Sequence, residues 1–398
     1  MALPTPSGSA GSPSPDQVRV MLVDDSAVVR GLVTRILDEE PSVAVVASVG
    51  NGQMALSALE RQDVDVVLLD IEMPVMDGMT ALPKLLAADP TLRIIMQSTL
   101  TLKGADISLR ALEMGAADYI PKPSSTRDLA GGMDFKTELL EKVKALGQAR
   151  RRDPRRPTNK PGAAPLAPRP SAPLAAPAAT AAATAAPRPA KSLYQAPVTL
   201  RTNAPEPPDV IAIGSSTGGP QALFTLLGTM RAGTVRQPIL ITQHMPATFT
   251  TILAEHINRV SGWEAREGED GETVRSGRVY IAPGDFHMVV EVKGADKIIR
   301  LNKNAPENFC RPAVDPMLRS ISAAYGKRVL ACILTGMGAD GMRGGQTVVA
   351  GGGTVIAQDE ATSVVWGMPG AAATAGICSA VLPLPEVAPW IMKQAARR

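Results

Sequence analysis

Short continuous apolar runs alternate with amphipathic segments through the first 146 residues. Such runs are typical of parallel strands that are covered on both faces. They predict five strands, at Val18–Val23, Val43–Val49, Val64–Leu69, Leu92–Gln97 and Asp118–Ile120. The amphipathic segments predict five helices, at Ala27–Asp38, Gln53–Arg61, Gly78–Ala87, Gly104–Met114 and Asp134–Leu146. Together they predict a (βα)₅ doubly wound sheet, which binds ligands at the carboxyl ends of its strands.

The alternation returns after residue 208 and predicts a second doubly wound α/β domain with a mainly parallel sheet. Most of its predicted helices lie between the strands. The strand candidates are Val210–Ile213, Ile239–Gln243, Val279–Ala282, Val289–Val292, Ile298–Leu301, Val329–Leu334 and Thr354–Ala357. The two predicted domains are residues 17–147 and 209–398.

The segment between the two domains, residues 148–208, is rich in alanine and proline. Prolines break helices, and the segment has little apolar area to offset the entropy of ordering the chain. We therefore predict a disordered, basic linker in which the Arg150–Arg152 cluster stays solvated, although it could contact acidic surfaces. Residues 1–16, rich in proline, serine and glycine, are predicted to be a disordered leader.

The net charge of +3 hides an uneven distribution. The linker carries +8 and the remainder −5, so the folded domains do not have the basic surface of a nucleic-acid-binding protein. Three cysteines without a C-x-x-C pair fit a reducing cytosol, and no apolar run is long enough to span a membrane. We expect a cytoplasmic protein that neither binds nucleic acid nor inserts into a membrane.

Charged and polar residues follow the strands of the first domain where each strand ends. They are Asp24 and Asp25 after the first strand, Asp70 after the third, Ser98 after the fourth and Lys122 after the fifth. The doubly wound topology brings all five into one crevice. Three carboxylates repel one another unless a cation such as Mg²⁺ holds them, and a carboxylate can act as a nucleophile toward phosphorus.

This block resembles the flavodoxin-like receiver domain of two-component response regulators, most closely in Asp70-Ile71-Glu72-Met73-Pro74. The resemblance implies that Asp70 is the phospho-accepting residue and that Asp24 and Asp25, with Asp70, bind Mg²⁺. It further implies that Ser98 is the switch hydroxyl, Lys122 the phosphate partner and Tyr119 the aromatic switch residue.

The second domain places a serine in the turn after its first strand, within Gly214-Ser215-Ser216-Thr217-Gly218. A G-x-S-x-G turn holds a hydroxyl at the strand end, and the helix behind it offers free N–H groups. Among the three histidines, only His244 directly follows a predicted parallel strand. His256 is predicted on a solvated helix face, and His287 in either a turn-stabilising or a substrate-loop role.

Asp340 lies in a glycine-rich loop after the strand Val329–Leu334 and could orient His244. A phosphate-binding loop without catalysis remains an alternative for the serine turn alone. The chain order Ser216, His244, Asp340 differs from the Ser, Asp, His order of the α/β-hydrolases. Ser215 leaves open which serine is the nucleophile, and the position within the turn favours Ser216.

Residues 209–398 resemble the catalytic domain of the CheB family of chemotaxis protein-glutamate methylesterases and glutamine deamidases. The matching segments include Ile213–Pro220, Thr242–Pro246, Tyr280–Met288, Arg311–Asp315, Ile333–Gly341 and Gly367–Pro369. The resemblance implies that Ser216 is the nucleophile, His244 the base and Asp340 its orienting residue. It also implies that the Met337 N–H is an oxyanion donor, with Thr217 close to the site, and that the hydrolysis needs no cofactor.

A receiver followed by this domain implies a phosphorylation-activated hydrolase in chemotaxis adaptation. Its substrates would be methyl-accepting chemoreceptor helices, and a CheA-type histidine kinase would be its phosphodonor. The alternatives are a C-terminal domain that only binds a partner or an anion, and a CheB paralogue with a non-chemotactic target. A flexible linker of about sixty residues would lower the effective concentration of the receiver at the catalytic domain.

Overall fold

The computed structural model describes residues 16–99, 101–122, 133–157, 198–204 and 206–396. The predicted leader up to residue 15 and most of the predicted linker, residues 158–197, lie outside the described residues.

The N-terminal domain is the predicted parallel sheet. Its strands are β1 (Val18–Val23), β2 (Val43–Val49), β3 (Val66–Asp70), β4 (Arg93–Ser98) and β5 (Asp118–Pro121). All neighbouring strands pair in parallel, in the order β2-β1-β3-β4-β5. The strand order reverses between β1 and β3, and Asp24 and Asp70 follow or end these two strands at that crevice.

Side-chain caps fix where the first four receiver helices start. The helices are α1 (Ala27–Asp38), α2 (Gly52–Leu59), α3 (Gly78–Ala88) and α4 (Leu102–Glu113). Each begins after a residue whose side-chain oxygen accepts a first-turn N–H, namely Ser26, Asn51, Asp77 and Thr101. These are the residue types that most favour the N-cap position, so helix starts were readable from the sequence.

The fifth helix, α5 (Met133–Arg152), extends beyond the predicted domain boundary at residue 147. The Arg150 side chain is only 1% exposed and pairs with Asp65 at 2.9 Å and Asp89 at 2.5 Å. Arg151 Nε lies 3.0 Å from Asp65 Oδ2. The expectation of a solvated arginine cluster was wrong here, because buried carboxylates of the receiver bind these guanidinium groups.

The C-terminal domain is built on seven parallel strands. They are β6 (Val210–Ser215), β7 (Ile239–Gln243), β8 (Glu264–Glu267), β9 (Arg278–Ile281), β12 (Val329–Ile333), β13 (Thr354–Gln358) and β14 (Ala380–Leu382). Their order in the sheet is β14-β13-β12-β6-β7-β9-β8. A separate antiparallel hairpin pairs β10 (His287–Lys293) with β11 (Asp296–Asn302). The predicted parallel α/β class is confirmed, while β8 and β14 were not predicted.

The catalytic-domain helices start differently from those of the receiver. They are α6 (Gly219–Thr229), α7 (Ala247–Ser261), α8 (Val314–Tyr325), α9 (Met342–Ala350), α10 (Met368–Thr374) and α11 (Leu384–Ala395). In this described part of the chain, their N-cap residues are glycine, proline or alanine and form no side-chain cap. The first backbone N–H groups of these helices are therefore available to side chains from other segments or to a bound anion.

The two domains meet where helix α4 packs against helices α6 and α7. Tyr119 of the receiver stacks on Phe249 of α7, with ring centroids 4.2 Å apart and planes 9° apart. The Gln221 amide of α6 donates to the carbonyl of Ala116. The residue at the receiver's predicted aromatic switch position is thus buried in the domain interface.

None of the helices in the described residues combines the length and the hydrophobicity that crossing a membrane requires.

We expect Arg150→Ala to destabilise the receiver strongly. Removing the guanidinium takes away the one buried cation that bridges Asp65 and Asp89, and breaking a buried ion pair typically costs about 3–5 kcal/mol. The measurement is the urea midpoint of the receiver transition in the full chain. Arg155→Ala is the matched control, because its side chain is 75% exposed. Equal midpoints for the two variants would contradict the assignment of Arg150 to the receiver core.

Candidate active site and phosphorylation site

Strand register places Ser216 and His244 side by side. In the parallel pair of β6 and β7, Gly214 lies opposite Thr242 and Ser215 opposite Gln243, so the next residues are Ser216 and His244. The His244 N–H donates to the Ser215 carbonyl at 3.2 Å. On the other side of β6, the Ser216 N–H donates to Thr335 of the loop after β12 at 3.1 Å.

The two adjacent serines have different environments. Ser215 is fully buried, and its hydroxyl donates to Gln243 Oε1 at 2.7 Å. Ser216 is partly exposed. The Gln243 amide also donates to the Ser216 carbonyl at 3.0 Å, so one side chain links both serines to the strand that carries His244. Ser215 therefore has a structural position, and Ser216 is the serine that substrate can reach.

Asp340 is buried at the start of helix α8. Its Oδ2 accepts from the Val314 N–H at 2.6 Å, and its Oδ1 accepts from the Asp315 N–H at 3.0 Å. Oδ2 also lies 2.8 Å from Nε2 of His244. The positive end of the helix dipole and these N–H groups stabilise the ionised carboxylate. The Asp340 carboxylate thus contacts the imidazole of His244, where a residue that orients a base would have to lie.

A second buried aspartate accepts hydrogen bonds from the backbone beside Asp340. Asp315, in the first turn of α8, accepts from the N–H groups of Gly341 at 3.0 Å and Gly344 at 2.6 Å, where α9 begins. Thus Asp340 caps the helix that contains Asp315, and Asp315 caps the helix that follows Asp340. Burial raises the pKa of Asp315, and the nearby charge of Asp340 raises it further.

The pKa values of the His244–Asp340 pair move in opposite directions. Burial alone would raise the pKa of Asp340, but the hydrogen bond from His244 and the backbone N–H groups bring it below its usual value. Burial would lower the pKa of His244, yet the adjacent Cys310 and Asp340 raise it to about 10. The pair therefore favours an imidazolium beside a carboxylate.

Cys310 contacts Nδ1, the other ring nitrogen of His244. Its Sγ lies 3.3 Å from Nδ1, and Ser216 Oγ forms no hydrogen bond within the described residues. The expected Ser216–His244 hydrogen bond is thus not formed in this state. Asn308, two residues earlier, donates to Asp340 Oδ1 at 3.0 Å. Neither Cys310 nor Asn308 was predicted from the sequence, because the loop that carries them follows the β10–β11 hairpin and does not directly follow a predicted parallel strand.

The loop after β12 lies against Ser216. A Cβ on Gly336 would lie 2.9 Å from Ser216 Cβ, so only glycine permits this approach. The backbone N–H of Met337 makes no hydrogen bond within the described part of the chain. The hydroxyl of Thr217 is buried and lacks a partner there as well. These groups provide unpaired donors next to Ser216, as expected of an oxyanion site.

The receiver site gathers the predicted acidic residues. Asp24, Asp25 and Asp70 each offer an oxygen, and these oxygens lie within 4.8 Å of one another. Lys122 Nζ lies 2.7 Å from Asp70 Oδ2 and 3.0 Å from Asp24 Oδ2. Burial raises the pKa of Asp70 despite the adjacent lysine. Three convergent carboxylates are a donor set that fits Mg²⁺.

The predicted switch hydroxyl is connected to the domain interface. Ser98 is buried and accepts a hydrogen bond from Ser108 of helix α4 at 2.8 Å. The same hydroxyl lies 2.8 Å from the Gly104 carbonyl oxygen one turn earlier, so its single proton is shared between the two oxygens. Helix α4, which packs on the catalytic domain, is therefore held to the end of β4 by the hydroxyl that the sequence assigned to phosphoryl binding.

The two remaining histidines are both structural. His256 is 1% exposed and lies in the domain interface, where its Nδ1 is 2.9 Å from Glu113 and its Nε2 is 3.1 Å from Asp106. The predicted solvated position was wrong, because α4 of the receiver covers this face of α7. His287 accepts from the Ala313 N–H at 3.3 Å and its other nitrogen lies 3.1 Å from the Ala305 carbonyl, which is the turn-stabilising alternative.

Comparisons with known proteins agree with both domains. Residues 211–391 match the family described as CheB methylesterase, and residues 20–132 match the response regulator receiver domain. A protein of Paramagnetospirillum magneticum named protein-glutamate methylesterase/protein-glutamine glutaminase 1 is 74% identical over 393 residues, or 97% of this chain and 98% of its own length. A similarly named protein of Azospirillum brasilense is 60% identical, over 98% of this chain and 95% of its own.

We expect Cys310→Ala to move the acidic limb of the pH–activity profile to lower pH. A histidine that acts as a general base must be neutral, so an activity that depends on His244 in this role rises with pH through the pKa of this residue. Cys310 raises that pKa, and its removal therefore lets His244 lose its proton at lower pH. The measurement is kcat/KM for p-nitrophenyl acetate against pH. Cys378→Ala, which changes a buried core thiol, should leave the limb in place. An unmoved limb in Cys310→Ala would contradict the coupling.

Proposed function

The chain belongs to the CheB methylesterase family, as a protein-glutamate methylesterase and protein-glutamine glutaminase with a receiver domain, and we propose that Ser216, His244 and Asp340 carry its chemistry. The observation that supports this most is the 2.8 Å His244–Asp340 pair beside the partly exposed Ser216. Asp340, held by helix N–H groups, stabilises the imidazolium that forms when His244 accepts a proton.

The proposed reaction has two halves. Ser216 Oγ attacks the γ-carbonyl of a glutamate methyl ester, while His244 accepts the hydroxyl proton and then delivers it to the departing methoxide, so that methanol leaves. A water molecule then attacks the acyl-enzyme while His244 accepts one of its protons, and His244 delivers that proton to Ser216 Oγ as the ester bond breaks. The released glutamic acid loses its proton to solvent and leaves as the carboxylate. A glutamine amide would follow the same path with ammonia as the leaving group.

The contacts of His244 support Nδ1 as the nitrogen that accepts the proton. Because Nε2 of His244 is paired with Asp340, Nδ1 is the nitrogen that would receive the Ser216 proton after its contact with Cys310 opens. The N–H of Met337 and the hydroxyl of Thr217 would stabilise the negative oxygen of the tetrahedral intermediate. One such donor typically contributes about 10²–10³ in rate.

Regulation by the receiver fits the domain contacts. An apolar cluster of the receiver includes Val365 of the catalytic domain, and Met337 and Val364 pack against it. The receiver cluster thus reaches Val365, whose carbonyl accepts from the N–H of Gly336 in the loop that carries the proposed oxyanion donor. Through Tyr119 it also contacts Phe249, five residues after His244. In this state the receiver would restrain both sides of the site.

Phosphorylation of Asp70 would change these contacts. The phosphoryl group adds roughly −1.5 to −2 charge and would draw Lys122 and the Ser98 hydroxyl toward it. Ser98 would then leave Ser108, and the attachment of helix α4 to the sheet would change. Asp24, Asp25 and Asp70 would hold Mg²⁺, which offsets negative charge on the phosphoryl group. The proposed phosphodonor is a CheA-type histidine kinase, and the proposed substrates are the cytoplasmic helices of chemoreceptors.

We expect Ser216→Ala to lower methanol release from a methylated chemoreceptor by about 10³-fold or more, because the nucleophile is lost. Release is measured with receptor that carries a radiolabelled methyl group. Ser215→Ala is the matched control and should retain most of the activity, since its buried hydroxyl only supports Gln243. The proposal fails if Ser216→Ala is active and Ser215→Ala is not. Failure of the wild-type chain to demethylate any chemoreceptor would point to another protein substrate.

We expect Asp70→Asn to abolish stimulation by acetyl phosphate while leaving the basal rate in place. The amide has nearly the same size as the carboxylate but is not a nucleophile toward phosphorus. The measurement is methanol release with and without acetyl phosphate. Asp38→Asn, at an exposed position on α1, should still respond. A full response in Asp70→Asn would remove Asp70 as the phosphorylation site.

A further inference from the structure

A two-residue turn stands beside the catalytic histidine. Glu307 and Cys310 exchange both backbone hydrogen bonds, at 3.1 and 2.9 Å. The two residues between them are left-handed, with φ of 52° at Asn308 and 62° at Phe309. This is a type I′ turn, and its most favoured sequence is Asn-Gly. Asn308 fits that preference, whereas Phe309 stands where glycine would be least strained.

The Phe309 ring contributes nothing to the folded core. It is 99% exposed, the highest value among the large hydrophobic side chains described. A left-handed backbone is costly for a bulky residue, and the ring gains no packing that would offset this cost. Both the backbone strain and the exposed apolar surface are unfavourable for the isolated chain, so the fold does not explain a phenylalanine at this position.

The turn is held rigidly against the catalytic residues. Asn308 donates to Asp340 at 3.0 Å, and Cys310 Sγ lies 3.3 Å from His244 Nδ1. Glu307 pairs with Arg319 of helix α8 at 2.9 Å. The ring therefore projects from a fixed point on the rim of the site, and the docked receiver leaves it uncovered.

We propose that Phe309 is a substrate-binding residue that packs against an apolar side chain of the substrate protein next to the target glutamate. The inference rests on the proposed function, because a glutamate on a protein surface reaches Ser216 and His244 only if its own backbone lies across this rim. A rigid exposed aromatic ring is the type of residue that dominates protein–protein contacts. The ring would thus hold the protein segment and would not touch the reacting atoms.

The test compares three variants of the full-length chain, activated with acetyl phosphate. Phe309→Gly creates the preferred Asn-Gly turn, and Phe309→Asn keeps a residue that tolerates the left-handed region, so both should fold. Phe309→Leu keeps an apolar side chain. Steady-state demethylation of the methylated chemoreceptor gives KM and kcat, and p-nitrophenyl acetate provides a substrate with no protein segment.

We expect Phe309→Gly and Phe309→Asn to raise KM for the receptor by about tenfold, with little change in kcat. Phe309→Leu should raise it less. Hydrolysis of p-nitrophenyl acetate should be unchanged in all three variants, because the triad is intact. Val292→Thr, which removes an apolar methyl at another exposed position of the catalytic domain, should behave as wild type.

An unchanged receptor KM in Phe309→Gly and Phe309→Asn would overturn the inference, as would a parallel loss with p-nitrophenyl acetate, which indicates a disturbed triad. Concentration-dependent dimerisation of the wild-type chain that both variants abolish would assign the ring to a second copy and would also overturn it. If the wild-type chain hydrolyses p-nitrophenyl acetate but no methylated receptor, the proposed substrate is wrong and the inference fails with it.

Discussion

The Asp340 carboxylate is the interaction on which the catalytic domain depends. A buried negative charge is costly unless several donors surround it. Here the donors are the first N–H groups of helix α8, the Asn308 amide and the imidazole of His244. The same carboxylate that contacts His244, the proposed base, therefore also caps a helix start and binds the turn that carries Phe309. A change at Asp340 would consequently disturb both the position of His244 and the start of helix α8.

Helix α7 of the C-terminal domain carries the main contacts with the receiver, so the proposed control acts through it. It begins three residues after His244, and its outer face carries Phe249 and His256. Tyr119 stacks on the first, and Asp106 and Glu113 of helix α4 bind the second. A change in the receiver thus acts on an element continuous in sequence with the catalytic base. A long connection between the domains does not prevent docking, because these specific contacts offset the low effective concentration.

The positions of the polar residues that follow the strands were predictable from the sequence. Buried parallel strands have a strong hydrophobic signal, and their carboxyl ends converge at one edge of the sheet. Asp24, Asp70, Ser216, His244 and Asp340 were all found in this way, and their relative placement follows from the parallel register. Cys310 and Asn308 were not, since they come from an irregular loop without a periodic pattern. The end of α5 was also missed, because the carboxylates that bury Arg150 lie some sixty to eighty-five residues away along the chain.

The sequence alone determined two α/β domains, the acidic site of the first and the serine, histidine and aspartate of the second. These features depend on hydrophobic periodicity and on short motifs, and both signals lie within short stretches of the sequence. Only the tertiary structure decided that Ser215 is buried while Ser216 is accessible, that His256 belongs to the domain interface and that Cys310 occupies a nitrogen of His244. Each of these depends on what another segment covers or donates, and packing between distant segments leaves no periodic trace in the sequence.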